Sequence, residues 1–377
     1  MRTITLALLI AASVACNKPD PAADASKSGT PSGTRTDAKP GTDAPGTDTP
    51  NAPPALIKPP PVISGGAADR LVPGDAALLA HVDMQGLAGS PLWAANKAIL
   101  DADPEFTKQM NSFAACNMPF SGLRGLDIGV GSDGQELVLV VSGGGVGKPD
   151  NLRCLQARLN TGDMKLEEQD GTTRVVFAGG ERFGHPAGDD AIVITTRAWS
   201  DAVLGLIAGK GSSVRDGGLK DILAAADQSK HIWFAGRLPP ELAALASAGV
   251  AGMAGLRSVA GSLDLSAGLG LTLAFGMDSP EKAKATLGEV QTQFDTVKPL
   301  AGLFGVPQSA VDKVKFTASD ASVVMTAALT MDEINALSAA LNQLNAAGSE
   351  EPAQPPAPPE PPVQPKQPKQ PIAPPPT

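Results

Sequence analysis

The chain has 377 residues, a net charge of −9, and 3% aromatic residues with no tyrosine. An acidic balance argues against nucleic acid and anionic head groups as partners, since Lys and Arg are what neutralise phosphates. Scarce aromatic rings leave few platforms on which bases or sugars stack.

Residues 1–15 read as an export signal. Met1-Arg2 is a short basic start, and Ile4–Ala15 is an uncharged run of small and apolar residues. Those twelve residues would span about 18 Å as a helix, too short for a bilayer core of about 30 Å. Small residues at the end of the run suit signal cleavage. The run closes Ser13-Val14-Ala15-Cys16. This resembles the lipobox of bacterial lipoproteins, with Ser13 where Leu is usual. The resemblance implies cleavage before Cys16, acylation of Cys16, a membrane anchor and a place in the cell envelope. Asn17 stands where an Asp would hold such a protein on the inner membrane, which points to the outer membrane. The other reading of the site is ordinary cleavage after Ala15, leaving an unmodified cysteine.

Prolines mark both flanks: 11 of the 35 lie in 17–62 and 13 in 351–377. Segments so poor in large apolar residues cannot offset the entropy of ordering, so 16–67 and 349–377 are expected to be disordered. The first is a tether, and a flexible chain of that length reaches about 40 Å on average. The second is a polyproline-II spacer whose Lys366 and Lys369 could touch an anionic cell-wall polymer. Residues 68–348 remain as the folded part.

In chain order, 76–83 reads as a buried strand and Leu92–Ala115 as a helix. Strands 124–131 and 136–142 meet at Ser132-Asp133-Gly134, and a helix opens near Asp150 with Leu152, Leu155 and Leu159 on one face. Strands 173–178 and 190–196 follow, then a helix over 198–208 carrying Trp199, Val203 and Leu206. The second part repeats this order. His231–Arg237 is a strand, Pro240–Gly255 a helix, and 256–265 with 268–276 a hairpin. Ser279 caps a helix with Pro280 at its first position and an apolar stripe Ala283, Leu287, Val290, Phe294, Val297, Ala301. Strands 313–318 and 322–329 follow, and Thr330 with Glu333 forms a capping box for a last helix. Both halves, 68–215 and 216–348, therefore read β-α-β-β-α-β-β-α. Antiparallel hairpins covered by helices define an α+β class.

Most chemistry-bearing patterns fail on their context. Cys116 and Cys154 are the two cysteines of the folded part and are expected to pair in an oxidising compartment, closing about 39 residues. The alternatives are two buried free thiols or a catalytic thiol, for which nothing local supplies a base. Ser142–Pro149 sits where a phosphate loop would, but Pro149 replaces the metal-binding hydroxyl, leaving a flexible strand-to-helix loop. Gly129–Gly134 matches G-x-G-x-x-G by letter, yet a strand follows it, so it reads as a hairpin turn. His81, His185 and His231 stand far apart without ligand spacing, so no metal or other cofactor is expected. Asp189-Asp190 and Glu167-Glu168 read as solvated turn acids. Leu242–Leu256 is uncharged, with Gly249, Gly252 and Gly255 each weakening a helix by about 1 kcal/mol. Tight packing in the core explains them, or else a mobile apolar lid.

The overall layout resembles the uncharacterised secreted lipoproteins of GC-rich bacteria, which carry Ala/Gly-rich two-half α+β domains between disordered segments. That resemblance spans 68–348 and implies no activity. The expectation is a non-enzymatic envelope module that binds a protein partner, with a carrier of apolar small molecules or lipids second and an enzyme third.

Overall fold

The computed structural model describes residues 68–159, 164–169, 172–177, 180–239, 243 and 253–348. In the first half, β1 (Leu78–Asp83) leads into α1 (Met84–Gly89), α2 (Pro91–Asp101) and α3 (Pro104–Ala115), then β2 (Leu123–Val130) and β3 (Leu137–Gly143). Next come α4 (Pro149–Leu159), β4 (Met164–Gln169), β5 (Thr172–Phe177), β6 (Arg182–Pro186), β7 (Ala191–Thr196) and α5 (Ser200–Ile207). A short α6 (Lys220–Leu223) precedes the second half. That half holds β8 (Ile232–Arg237), β9 (Leu256–Asp264), β10 (Leu269–Met277), α7 (Pro280–Val297), α8 (Gln308–Asp312), β11 (Lys315–Ser319), β12 (Ser322–Leu329) and α9 (Met331–Gly348).

The local reasons are in the sequence. Asp83 accepts the amides of Gln85 and Gly86 and so starts α1. Ser90 accepts from the Trp93 amide ahead of Pro91, and Asp103 accepts from Glu105 and Phe106 ahead of Pro104. These caps divide the single helix expected over 92–115, because a proline lacks the amide a helix interior needs and fits its first turn instead. Ser279 accepts from the Lys282 amide at the start of α7. Thr330 and Glu333 exchange both capping bonds, at 2.8 and 3.3 Å. The stripe on α7 is correct at its start, where Ala283 is buried. It fails at its end, where Val297 is 55% exposed beyond the edge of the sheet contact.

The twelve strands of the described residues form one antiparallel sheet in the order β11-β12-β10-β9-β8-β1-β2-β3-β7-β6-β5-β4. Outward from the β1–β8 seam, the halves read β8-β9-β10-β12-β11 and β1-β2-β3-β7-β6, the same order. The class is α+β, as the patterning implies. The first half adds the β4–β5 hairpin. Two of its strands escape the sequence patterning because β4 (Met-Lys-Leu-Glu-Glu-Gln) is half charged and β6 (Arg-Phe-Gly-His-Pro) carries Gly and Pro. The helix expected over Pro240–Gly255 lies almost wholly outside the described residues, as do the signal, the tether and the tail.

The main core lies on one face of the sheet. Leu79, Val138, Val140, Val193, Trp233 and Ala235 pack against Leu71 and Val72, Trp199 and Val203 around α5, and Val214 and Leu219. Each such side chain contributes about 1.5–3 kcal/mol by leaving water. On the opposite face, one cluster under α3 and α4 holds Met118, Leu152, Leu155 and Ile192. The Cys116–Cys154 disulfide fastens those two helices, with Cα atoms 5.5 Å apart. A further cluster under α7 holds Leu256, Met277, Ala283 and Val323.

Candidate functional site

A cluster of polar residues lies at the seam between the halves. Pairing places His81 of β1 opposite Asp127 of β2 on one side and Trp233 of β8 on the other. His81 Nδ1 donates to Asp127 Oδ1 at 2.7 Å, and its ring stacks on Trp233 with centroids 5.2 Å apart. Asp127 is 1% exposed, and its Oδ2 has no hydrogen-bond partner. Arg215 lies over the Trp233 ring at 5.8 Å and donates to Asp69 Oδ2 at 2.6 Å. Burial pulls the His81 imidazole down, but the hydrogen bond and charge of Asp127, with Asp69 and Asp83, outweigh it, so His81 titrates above its ordinary value. Burial likewise pushes the Asp127 carboxyl up against the opposing pull of His81.

His231 lies directly beside this cluster. Its carbonyl accepts the Asp83 amide, and its Nδ1 accepts the Leu265 amide at 3.1 Å. Asp264 accepts from Lys230 at 2.9 Å and from the Ser266 hydroxyl at 2.7 Å, which holds its carboxyl well below the usual range. Two of the three histidines that looked isolated in the sequence therefore meet at one seam. No spacing along the chain could show this, since the strands carrying them lie about 150 residues apart in number.

The remaining sequence candidates have structural explanations. His185 is buried and bonds Ser200 Oγ at 2.9 Å, tying β6 to α5; burial and the nearby Arg174 lower its pKa. The glycines after β3 are pinned, not flexible as expected. The amides of Gly143 and Gly147 donate to the Asp190 and Asp189 carbonyls at 2.7 and 2.9 Å, and Gly145 donates to Asp190 Oδ1 at 3.0 Å. Those amides are therefore spent on the protein itself. Gly143, Gly144 and Gly145 all have positive φ, which explains the residue type without a phosphate. Gly131–Gly134 closes the β2–β3 hairpin, with the Gly131 amide on the Glu136 carbonyl at 2.9 Å. Glu167 and Glu168 are not turn acids. They lie on β4, where Arg174 and Thr173 of β5 donate to them. Among the described residues no cluster of His, Cys, Asp and Glu could hold a metal ion, and no helix is long and apolar enough to cross a membrane. Cys16 lies outside the described residues.

A second feature is the row next to the His81 row. In register across ten strands it reads Gly184, Ile194, Leu139, Ile128, Ala80, Phe234, Gly261, Leu273, Met325 and Phe316, with no polar side chain. It points to the sheet face opposite the main core. Its side chains from Ile194 to Phe316 are only half-buried, apart from Gly261. A Cβ at Gly261 would meet Phe234 and Leu273 at 2.7 Å, so glycine there lets those two side chains close over the sheet.

Fold and site together define an antiparallel α+β plate with two like-ordered halves and a polar seam. No known protein family matches the chain, and no curated protein does. Among solved structures, crystal form III of TP0453 matches with TM-score 0.44 and 8% identity, covering 72% of this chain and 97% of that one. Crystal form IV of TP0453 gives 0.42 and 8%, covering 73% and 95%.

Proposed function

We propose that this chain is a lipid-anchored module of the bacterial envelope that works by binding, and that it holds the acyl chains of a membrane lipid. The observation that supports this reading is the apolar row from Ile194 to Phe316. An antiparallel sheet with one face in water alternates apolar and polar residues along each strand. Here the second face is apolar as well, and between the clusters under α3, α4 and α7 its central row is only partly covered. A contiguous apolar surface of that kind marks a ligand, membrane or partner contact. The anchor favours a lipid occupant, because Cys16 and the 17–67 leash would hold the sheet about 40 Å from the bilayer on average. The outer membrane is the expected site of that anchor.

The test is purification of the lipid-free chain from residue 17 onward, followed by displacement of a fluorescent acyl probe with palmitate. Saturable displacement, weakened about tenfold by Leu139→Gln or Leu273→Gln, supports the reading. A probe that fails to bind, or binds both variants as tightly as the wild type, overturns it. A protein that co-purifies from the envelope without lipid would do the same.

A further inference from the structure

On the core side of the sheet, the two halves differ. In the first half this side is filled by the chain itself, with Leu71, Trp199, Val203 and Val214 seated on Val140 and Val193. In the second half it opens into a groove of about 520 Å³, starting at Lys230 and Asp264 beside the seam and ending at Lys313 and Lys315.

The floor of that groove is the His81 row continued outward. Ser262, Thr272, Thr326 and Lys315 stand in register on β9, β10, β12 and β11. Neighbouring strands lie about 4.8 Å apart, so three hydroxyls form a ladder roughly 10 Å long. Ser262 is sunk to 4% exposure, and Thr272 and Thr326 are half-buried, so the ladder is recessed. Among the described residues, none of these hydroxyls has a hydrogen-bond partner. A hydroxyl both donates and accepts, and a recessed row of them is matched by a ligand with the same dual capacity along its length. That is a chain of sugar rings.

The charges narrow the class. Asp264 and Asp227, both lining the groove, share Lys230 at 2.9 and 3.9 Å, Asp312 pairs with Lys298 at 2.8 Å, and Lys313 is taken by Glu333 at 2.7 Å. Lys315, at the end of the ladder, has no acidic partner among the described residues. We propose that this groove is a binding site for a glycan that carries a carboxylate, its ring hydroxyls on Ser262, Thr272 and Thr326 and its carboxylate on Lys315. The site lies on the opposite side of the sheet from the apolar row and does not depend on the acyl-chain reading. Recognition uses hydroxyls and one cation, in keeping with the scarcity of aromatic rings.

The experiment is a titration of the ¹⁵N-labelled, lipid-free chain from residue 17 onward, followed by NMR. The probes are the disaccharide of N-acetylglucosamine and N-acetylmuramic acid, which bears a carboxylate, and di-N-acetylchitobiose, which has similar rings without one. The expected result is shifts at the amides of Ser262, Thr272, Thr326 and Lys315, with the acidic disaccharide bound about tenfold tighter. Thr272→Val and Thr326→Val keep the side-chain shape and should each weaken both sugars about tenfold. Lys315→Gln should abolish the preference for the acidic sugar. The Lys366→Gln/Lys369→Gln chain should bind like the wild type. No shift in this groove with either sugar, an unchanged preference in Lys315→Gln, or loss of binding in the tail variant would each overturn the proposal.

Discussion

His81 and Trp233 face each other across the β1–β8 ladder with their rings stacked 5.2 Å apart, so the pairing that joins the two halves also places a titratable ring against a core tryptophan. Asp127 holds the other side of that ring.

The first prediction is a histidine titration. In the wild type, His81 should lose its proton above the ordinary value of 6.5. In Asp127→Asn the charge that favours imidazolium is gone and burial remains, so His81 should titrate below that value. Proton NMR of the imidazole C–H signals reads both. An unchanged His81 pKa in the variant would show that the pair does not couple.

The same shifts set a pH dependence of stability. The folded-state pKa of His81 is raised, so its contribution is present below 6.5 and lost as pH rises through the folded value. Asp127 acts in the same direction, since its raised pKa favours the protonated folded form. Glu333 acts oppositely: Lys313 first, then Thr330 and Ser309, lower its pKa to about 2. Its contribution is present above 4.5 and lost as pH falls toward about 2. Glu333→Gln keeps a residue able to close the capping box and should flatten the acid loss over that window. Urea midpoints measured across pH test this, and identical acid limbs in the two proteins would refute it.

The Cys116–Cys154 bridge should leave no reactive thiol in the denatured, unreduced lipid-free domain. Replacing both by serine should cost about 3–5 kcal/mol through the unfolded chain's lost constraint. Thiol labelling and denaturant unfolding measure the two effects. A double variant as stable as the wild type would show that the α3–α4 contact stands without its covalent tie.

Deleting 351–377 should leave the thermal midpoint unchanged, because a segment holding 13 prolines in 27 positions has little apolar surface to add to a core. A drop of several degrees would show that the tail packs against the folded part.

Cys16→Ser should abolish incorporation of labelled fatty acid and leave the chain soluble or unprocessed. Continued labelling of the variant would place the lipid elsewhere.

Much of the local structure is legible along the chain, though not the strands β4 and β6. Ser279-Pro280 starts α7, Thr330 with Glu333 starts α9, and alternating apolar residues mark β2, β3, β9 and β10. These signals act within a few residues, and the structure keeps them. The one helix read over 92–115 was divisible from the same page, since Asp103-Pro104 is a cap followed by a first-turn proline. Lateral pairing of the strands is set by the fold as a whole. The His81 row draws Asp127, Val140, Trp233, Ser262, Thr272, Thr326 and Lys315 from strands of which some neighbours (β1 with β2 and β8, β10 with β12) lie far apart in the chain, and a shift of one residue in any ladder would turn that strand's residues to the other face. Register over such distances is set by how two apolar faces and their covering helices close together. That is why the seam, the apolar row and the hydroxyl ladder were invisible along the chain, although every residue in them was in plain sight.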